Sequence, residues 1–337
     1  MVVFTDMNSP FFVKPRQTPE RTAFAARLDE KNSTPLWNVL GDLVLPQPRP
    51  FCAPAIWHYD EMRPLLMEAG ALISAQEAER RVLVLENPGL KGASQITQSL
   101  YAGLQLIMPG EVAEGHRHAA SALRLVIEGE GAYTTVCGKR TAMSPGDFII
   151  TPSWTYHAHG NPGSSPVVWM DGLDIPIVNT FDASFAEHET HGLQPATPET
   201  GDAPMLTYPY ARSRDTIDRL YRSGPVHPHD GIKLPLVDPV TGANPMPTIG
   251  SFLQFFPAGF TTACRRSTDS TIYCVIEGHG RSRVGRVDLV WRPHDIFVVP
   301  SWTNLSHSAQ EDAVLFGFSD RPVQEALRLW RQEQIDV

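Results

Sequence analysis

Three histidines in the first half of the chain have the spacing expected of metal ligands. His116 and His118 stand two positions apart, and His157 follows a Pro-Ser-Trp turn later in the sequence. On a β-strand, side chains at i and i+2 point to the same face, so both imidazoles of the pair can reach one ion. Neutral imidazole is a ligand for iron, zinc, copper or nickel. The pattern therefore predicts one metal ion on His116, His118 and His157.

Arg124 interrupts an otherwise apolar run, ALRLVI at 122–127. A buried cation is costly unless it is paired, so Arg124 is expected to face an anion. Its even separation from His118 would place both side chains on one strand face if the strand is continuous. Two partners remain open from the residues alone: a structural ion pair, or the carboxylate of a bound substrate.

The elements that position these residues occur twice. VIEGEG at 126–131 recurs as VIEGHG at 275–280, and PGDFIITPSWT at 145–155 recurs as PHDIFVVPSWT at 293–303. LDIP at 173–176 has a weaker echo in SDRP at 319–322. Ordered matches at a nearly constant offset indicate two duplicated domains.

The offset also distinguishes structural residues from residues with a chemical role. Features shared by both copies are expected to be structural. Residues specific to the first copy are His116, His118, His157, Arg124 and Asp171, which correspond to Arg265, Ser267, Leu305, Tyr273 and Gly317. His159 and Gln105 have counterparts in His307 and Gln254, which favours a scaffold role for them. The second copy is therefore predicted to have lost its metal site, leaving one metal per chain.

Both copies consist of short apolar runs that end at turn residues, which predicts a small β-barrel or jelly roll in each. Val323, Leu327 and Trp330 fall at i, i+4 and i+7, which predicts a C-terminal amphipathic helix. The predicted organisation is a mostly helical extension at 1–92, a metal-bearing copy at 93–185, a connector with a helix near 213–221 at 186–247, a second copy at 248–320 and the C-terminal helix at 321–337.

Composition excludes several classes of protein. The net charge of −9 argues against a nucleic-acid partner, and no apolar run approaches the ~18 residues of a membrane span. The four cysteines include no CxxC pair, and the N-terminus does not resemble a secretion signal, so a cytoplasmic protein is expected. An acidic protein that binds an anionic substrate needs local positive charge from arginines or a metal.

The motifs Gly110-x5-His116-x-His118 and Gly146-x5-Pro152-x-Trp154-x2-His157-x3-Asn161 resemble the two cupin motifs. The duplication is then typical of a bicupin, a mainly β fold of two jelly-roll barrels. The glutamate that commonly follows the histidine pair is missing, since Ala122 and Leu123 hold those places. A site of three neutral histidines leaves a divalent ion its full charge and open positions for an anionic substrate and O₂.

Longer stretches resemble the gentisate 1,2-dioxygenase family, with its relatives that act on salicylates and 1-hydroxy-2-naphthoate. They are AERRVLVLENPGL at 78–90, SLYAGLQLIMPGE at 99–111, HRHAASALRLVIEGEGAYTTV at 116–136, and MSPGDFIITPSWTYHAHGNPG through WMDGLDIPIV at 143–178. The resemblance implies a homo-oligomer, a tetramer, with one Fe(II) per chain. It implies that O₂ opens the ring of a small aromatic carboxylate beside the carboxylate, which converts gentisate to maleylpyruvate.

The resemblance also implies roles for residues around the metal. Arg124 would bind the substrate carboxylate and Arg80 would be a second contact, although either Arg80 or Arg81 could point inward. His159 would accept a proton from a ring hydroxyl, and Gln105 and Tyr101 would line the pocket. Apart from the resemblance, Asp171 is expected to position Arg124 or a histidine because it is specific to the first copy, with a purely structural cap as the alternative. Outside this class, the rival is a cupin that binds metal without catalysis.

Overall fold

The computed structural model describes residues 16–189 and 207–335. The chain divides into two compact units, 1–49 and 50–337. The described part of the first unit contains helices α1 (Pro19–Asp29) and α2 (Leu36–Leu43). Helix α1 begins at Pro19, and the Thr18 side chain accepts a hydrogen bond from the Arg21 amide at 3.3 Å, which caps its N-terminus. No helix among the described residues is long and apolar enough to cross a membrane.

The second unit is mainly β, as predicted. Its first half contains β1 (Ala55–Trp57), α3 (Tyr59–Leu72), α4 (Ala75–Ala78), β2 (Val82–Val84), β3 (Tyr101–Ile107), β4 (Val112–His118), β5 (Ala122–Glu128), β6 (Tyr133–Val136), β7 (Lys139–Ala142), β8 (Phe148–Thr151), β9 (His157–Gly160), β10 (Val167–Leu173), α5 (Ile175–Thr180) and β11 (Ala186–His188), with a short 3₁₀ turn at Pro88–Leu90.

The second half repeats this order. It contains β12 (Thr207–Tyr208), α6 (Tyr210–Ser223), β13 (Ile232–Leu236), β14 (Gly250–Phe256), β15 (Arg265–Ser267), β16 (Thr271–Glu277), β17 (Gly280–Val284), β18 (Val287–Trp291), β19 (Ile296–Val299), β20 (Leu305–Ala309), β21 (Ala313–Ser319), α7 (Arg321–Ala326) and β22 (Gln332–Gln334).

Each half forms a barrel from a six-stranded and a five-stranded sheet. The strand orders are β12-β8-β5-β10-β3-β2 with β11-β4-β9-β6-β7 in the first barrel, and β1-β19-β16-β21-β14-β13 with β18-β17-β20-β15-β22 in the second. The two six-stranded sheets share one hydrophobic core, in which the Phe148 and Phe316 rings lie 5.2 Å apart. This is the two-barrel architecture expected of a bicupin.

The barrels exchange their edge strands. β1 from the N-terminal part pairs with β19 of the second barrel, and β12 from the connector pairs with β8 of the first. The exchange is fastened by equivalent hydrogen bonds of 2.9 Å, from the Tyr59 amide to Asp295 and from the Tyr210 amide to Asp147. The segments predicted as a helical extension and a connector therefore also complete the sheets. Part of that connector, 190–206, lies outside the described residues.

The C-terminal helix is shorter than predicted. α7 ends at Ala326, and Arg328 adopts a positive φ of 59°, which an α-helix does not accommodate. Leu327 is exposed, while the Trp330 indole N–H donates to Asp269 at 2.8 Å. The helical prediction beyond Ala326 is wrong: the chain instead adds β22 alongside β15.

The Asp-x-Pro exits of both barrels are buried anchors between the halves. Asp320 accepts hydrogen bonds from the Ser99 hydroxyl at 2.6 Å and from the Ser270 amide at 2.9 Å. Its counterpart Asp174 accepts from the Ser121 amide at 2.8 Å and from the Thr248 hydroxyl. Each aspartate thus ties its own barrel to the other half, which agrees with the structural role predicted from their repetition.

The carboxyl of Asp320 gives a pH-dependent contribution to stability. Burial raises its pKa from the ordinary 3.8 to about 6. Because the folded state favours the protonated form, this contribution is present below the unfolded pKa and is lost as pH rises through about 6. In Asp320→Asn, thermal unfolding followed by circular dichroism should show a melting temperature that rises relative to the wild type between about pH 4 and pH 7. The exposed change Asp215→Asn is the control, and parallel curves for Asp320→Asn and wild type would contradict the assignment.

Candidate metal centre and substrate pocket

The three predicted histidines meet on one side of the five-stranded sheet of the first barrel. His116 and His118 lie on β4, and His157 lies directly opposite His116 on the neighbouring strand β9. The Nε2 atoms of His116 and His157 are 2.9 Å apart. One ligating nitrogen from each of the three rings lies within 4.8 Å of the others, which is the geometry of a common ion.

Backbone carbonyls fix the orientation of two of these rings. The Nδ1 atom of His118 lies 2.7 Å from the Ala120 carbonyl oxygen, and that of His157 lies 2.9 Å from the Thr155 carbonyl oxygen. A carbonyl only accepts hydrogen bonds, so each Nδ1 carries the proton and each Nε2 presents a lone pair. Such second contacts are typical of metal-binding histidines.

The protonation of the cluster also suits a metal. Burial, with a further contribution from Arg80, lowers the pKa of His116 to about 3. Burial likewise lowers the pKa of His118, and it lowers that of His157 to well below its ordinary value. The rings are therefore neutral near pH 7, and converging lone pairs on neutral imidazoles are stabilised by a divalent cation. The residues present fit the metal that the motifs imply.

Arg124 lies inside the first barrel beside Asp171. The two residues are direct partners in the pairing of β5 with β10, and Arg124 Nε lies 3.5 Å from Asp171 Oδ1. Arg124 also donates from Nη1 to the Thr151 hydroxyl at 2.6 Å. Its Nε is buried and has no hydrogen-bond partner within residues 16–189 and 207–335. The guanidinium is thus only partly satisfied by protein groups.

Asp171 is itself held in place. Its Oδ1 accepts a hydrogen bond from the Trp169 indole N–H at 2.9 Å. Burial raises the pKa of Asp171 to about 6 although Arg124 opposes the shift, and burial lowers the pKa of Arg124. Both alternatives for Arg124 therefore have a structural basis: its Nε lies at ion-pair distance from Asp171, but that contact of 3.5 Å is not a hydrogen bond.

Arg80 and Arg81 take different directions. Arg81 is buried and forms a bidentate pair with Glu111, with both distances 2.8 Å. Arg80 donates to the Glu114 carbonyl at 2.6 Å. Burial, with a further contribution from Arg124, lowers the pKa of Arg80 to about 10. Arg80 is therefore the residue of the pair that adds positive charge to the pocket.

The remaining predicted residues occupy the same barrel interior. His159 is buried, its ring lies 5.9 Å from that of His157, and its Nδ1 has no hydrogen-bond partner among the described residues. Burial and then Arg124 hold the pKa of His159 well below its ordinary value, so the ring is neutral. Gln105 is buried opposite Trp169 in the β3–β10 pairing, and Tyr101 lies at the start of β3.

Four further residues of the site were not predicted: Gly103, Thr151, Trp169 and His188. Gly103 lies opposite Asp171, and a Cβ there would come within 3.0 Å of the Tyr101 hydroxyl. His188 on β11 lies directly opposite His116. Gly103, Thr151 and Trp169 differ from their counterparts Phe252, Val299 and Leu315. The comparison between the two copies could therefore have identified these three residues. No spacing rule indicates His188, because β11 has only three residues.

The second barrel preserves the pairing but not the chemistry. Arg265 lies opposite Leu305 in the β15–β20 pairing, as His116 lies opposite His157. Tyr273 lies opposite Gly317, as Arg124 lies opposite Asp171. The strand registers therefore reproduce the correspondence derived from the sequence offset.

We expect one bound metal ion per chain. The second barrel has Arg265, Ser267 and Leu305 at the three ligand positions, and the Arg265 guanidinium would repel a cation held there. Metal analysis of purified protein by inductively coupled plasma mass spectrometry, against protein concentration from amino-acid analysis, should approach one equivalent. Two equivalents, or ordered metal in the second barrel, would contradict this.

Comparisons with known proteins show which proteins the chain is similar to. The cupin domain family model matches residues 103–175. Gentisate 1,2 dioxygenase 1 of Aquipseudomonas alcaligenes is 47% identical over 344 aligned positions, which cover 96% of this chain and 99% of that protein. The 5-aminosalicylate 1,2-dioxygenase of Comamonas sp is 33% identical over 90% of this chain and 87% of its own length.

A solved structure extends the comparison to three dimensions. The crystal structure of salicylate 1,2-dioxygenase from Pseudoaminobacter salicylatoxidans, described as adducts with gentisate, has a TM-score of 0.89 and 32% identity, with 96% of each chain covered. The similarity includes both barrels, not the metal-bearing barrel alone. The family implies a bound metal, and His116, His118 and His157 form a group that could hold it. The chain belongs to the gentisate 1,2-dioxygenase family of ring-cleaving cupin dioxygenases.

Proposed function

We propose that this enzyme uses Fe(II) and O₂ to open gentisate, 2,5-dihydroxybenzoate, between its carboxylate- and hydroxyl-bearing carbons. Both oxygen atoms enter the product, maleylpyruvate. The observation that carries the proposal is the convergence of three neutral imidazoles, on one of which the partly unsatisfied guanidinium of Arg124 acts electrostatically. Fe(II) on the histidines would supply the electron-transfer chemistry that lets O₂ react with an aromatic ring.

Charge in the pocket favours an anionic substrate. Arg80 and Arg124 provide two cations, and Asp171 is the carboxylate whose charge acts on both. A metal on the histidines would add two further positive charges. An acidic protein thus concentrates positive charge where a benzoate carboxylate would bind, with the planar guanidinium of Arg124 suited to a carboxylate.

His159 is proposed to accept the proton of a ring hydroxyl. Its imidazole is neutral, and its buried Nδ1 lacks a protein partner in the described part of the chain. Such a nitrogen is available to a hydroxyl of the bound substrate. Asp171 would position Arg124, while Gln105, Tyr101 and Arg80 would contact the ring or its substituents.

Salicylates and 1-hydroxy-2-naphthoate are the alternative substrates on the same scaffold. Relatives named for gentisate are 47%, 35%, 33% and 32% identical, whereas the 5-aminosalicylate enzyme and the 1-hydroxy-2-naphthoate enzyme of Nocardioides sp. (strain KP7) are 33% and 32% identical. The 47% identity to one gentisate enzyme supports gentisate as the substrate, while the other identities do not separate the substrates. A cytoplasmic location stays a prediction from the sequence composition, and assembly into a homotetramer stays a prediction of the family resemblance.

Oxygen consumption tests the proposal. Fe(II)-loaded enzyme is given gentisate, salicylate or 1-hydroxy-2-naphthoate in parallel, and products are identified by mass spectrometry. We expect the highest kcat/KM with gentisate and a product equal in mass to substrate plus O₂. Faster turnover of another substrate would favour the alternative, and no oxygen uptake with any of them would favour the non-catalytic cupin. Zn(II)-loaded enzyme is the matched control.

A further inference from the structure

The second barrel contains a cavity of about 550 Å³ in the region where the first barrel carries its metal site. The cavity is bounded by Arg265, the counterpart of His116, and by Tyr273, the counterpart of Arg124. β22 lies along β15 at its edge, as β11 lies along β4 in the first barrel. The loss of the histidines has therefore not filled the interior of this barrel.

One metal-ligand position now carries a cation, since Arg265 replaces His116, and Lys233 adds a second cation beside it. Arg265 forms an ion pair of 2.7 Å with Asp230. Lys233, which takes the place of Val82 in the strand pairing, lies 3.7 Å from the same Asp230 oxygen, beyond hydrogen-bond length. Only 26% of the Lys233 side chain and 14% of the Arg265 side chain are exposed. Two half-buried cations thus share one carboxylate.

The charge of this group is incompletely balanced. Three carboxylates line the cavity: Asp230 pairs with both cations, Glu325 pairs with Arg321, and Asp269 acts on Lys233 only from beyond ion-pair distance. Burial lowers the pKa of Lys233 to about 8, which reflects an ammonium without full compensation. The amine also lies 3.8 Å from the centroid of the Phe252 ring, a contact that satisfies none of its donors with oxygen.

The walls and the size indicate an organic anion. The rings of Phe252, Tyr273 and Trp330 line the cavity, and its volume falls within the range of about 300–1,000 Å³ typical of small-molecule sites. A single inorganic ion would leave most of that space unused. A guanidinium and an ammonium beside aromatic surface recognise a carboxylate attached to an apolar body.

We propose that the second barrel binds a small organic carboxylate, which Lys233 and Arg265 hold within this cavity. The site is separate from the metal centre and does not depend on ring cleavage. Two sources share the chemistry: aromatic carboxylates that resemble the substrate, and aliphatic dicarboxylates that resemble a ring-opened product. Benzoate and maleate represent them.

Calorimetric titration under anaerobic conditions tests the site. Metal-loaded enzyme is titrated with benzoate and, separately, with maleate. For at least one of the two we expect a binding event of one equivalent per chain that persists in Arg124→Ala. Lys233→Met should weaken this event at least tenfold, while Lys233→Arg, which keeps the charge, should retain it. Lys139→Met, an exposed lysine of the first barrel, is the matched control.

Lys233→Met keeps the Arg265–Asp230 ion pair and a side chain of similar length over Phe252, so it is expected to fold. Arg265→Gln is the second variant and should weaken the same event. The proposal is overturned if neither ligand binds outside the metal centre, or if binding there is unchanged in both Lys233→Met and Arg265→Gln.

Discussion

His157→Ala is expected to lose its bound metal and nearly all turnover while remaining folded. His157 is buried, and its Nε2 lies 2.9 Å from that of His116, so its removal leaves two imidazoles on one strand to hold the ion. Two neutral ligands bind Fe(II) weakly. Removing a residue that hydrogen-bonds a metal ligand lowers metal affinity or activity by roughly 10–100-fold, and removing the ligand itself should lower them further. We therefore expect kcat to fall by more than about 100-fold.

Metal content, oxygen consumption and circular dichroism together check this result. The exposed His279→Ala in the second barrel is the matched control and should retain metal and activity. Alanine at His157 shortens a side chain inside an otherwise intact β4–β9 pairing, so the β-sheet spectrum should persist. Full activity and one metal equivalent in His157→Ala would refute the three-histidine assignment.

The metal centre was predictable because strand geometry is regular. The i and i+2 spacing of His116 and His118 fixes their common face, and the repeat offset located the second-barrel positions where the ligands are missing. The observed pairing of Arg265 with Leu305 and of His116 with His157 follows that offset. The spacing of the histidines and the internal duplication were together sufficient to predict the metal centre and its loss from the second copy.

The exchanged strands were not predictable in the same way. β1 has three residues and β12 has two, too few to show an alternating pattern. Their partners belong to the other barrel, so the pairing depends on how the halves pack. The anchoring residues Asp147 and Asp295 lie in a repeated motif, but nothing local indicates that they bind the Tyr210 and Tyr59 amides.

The C-terminal prediction failed for a related reason. Val323, Leu327 and Trp330 have helical spacing, but Leu327 is 55% exposed and Trp330 makes other contacts than those of a buried helix face. The Trp330 ring packs under the Arg321 guanidinium at 4.0 Å, and its N–H donates to Asp269. Tertiary contacts therefore override a short periodic pattern.

The alternation of side chains along a strand could not decide whether Arg80 or Arg81 points inward. Both residues precede β2, so they lie outside the strand to which the rule applies.

Arg124→Ala is expected to lower kcat/KM for gentisate by at least about tenfold without changing metal content. The side chain is buried and acts electrostatically on the ligand His157, and its Nε, 3.5 Å from Asp171, has no hydrogen-bond partner among the described residues. A charge-assisted hydrogen bond to a carboxylate contributes about 1.5–3 kcal/mol, and each ~1.4 kcal/mol corresponds to one decade. Steady-state oxygen consumption at several gentisate concentrations measures the change.

The ion pair with Asp171 is the competing explanation, and a second variant separates the two roles. Arg124→Lys keeps a cation for Asp171 but lacks the planar fork that matches a carboxylate, so stability should largely return while kcat/KM recovers only in part. A role confined to the ion pair would instead leave kcat/KM normal in Arg124→Ala and lower only the melting temperature. Arg281→Ala, an exposed arginine of the second barrel, should change neither quantity. Arg124 therefore binds the substrate if the lysine variant restores the melting temperature but not the full kcat/KM. It is only a structural residue if kcat/KM is already normal in Arg124→Ala.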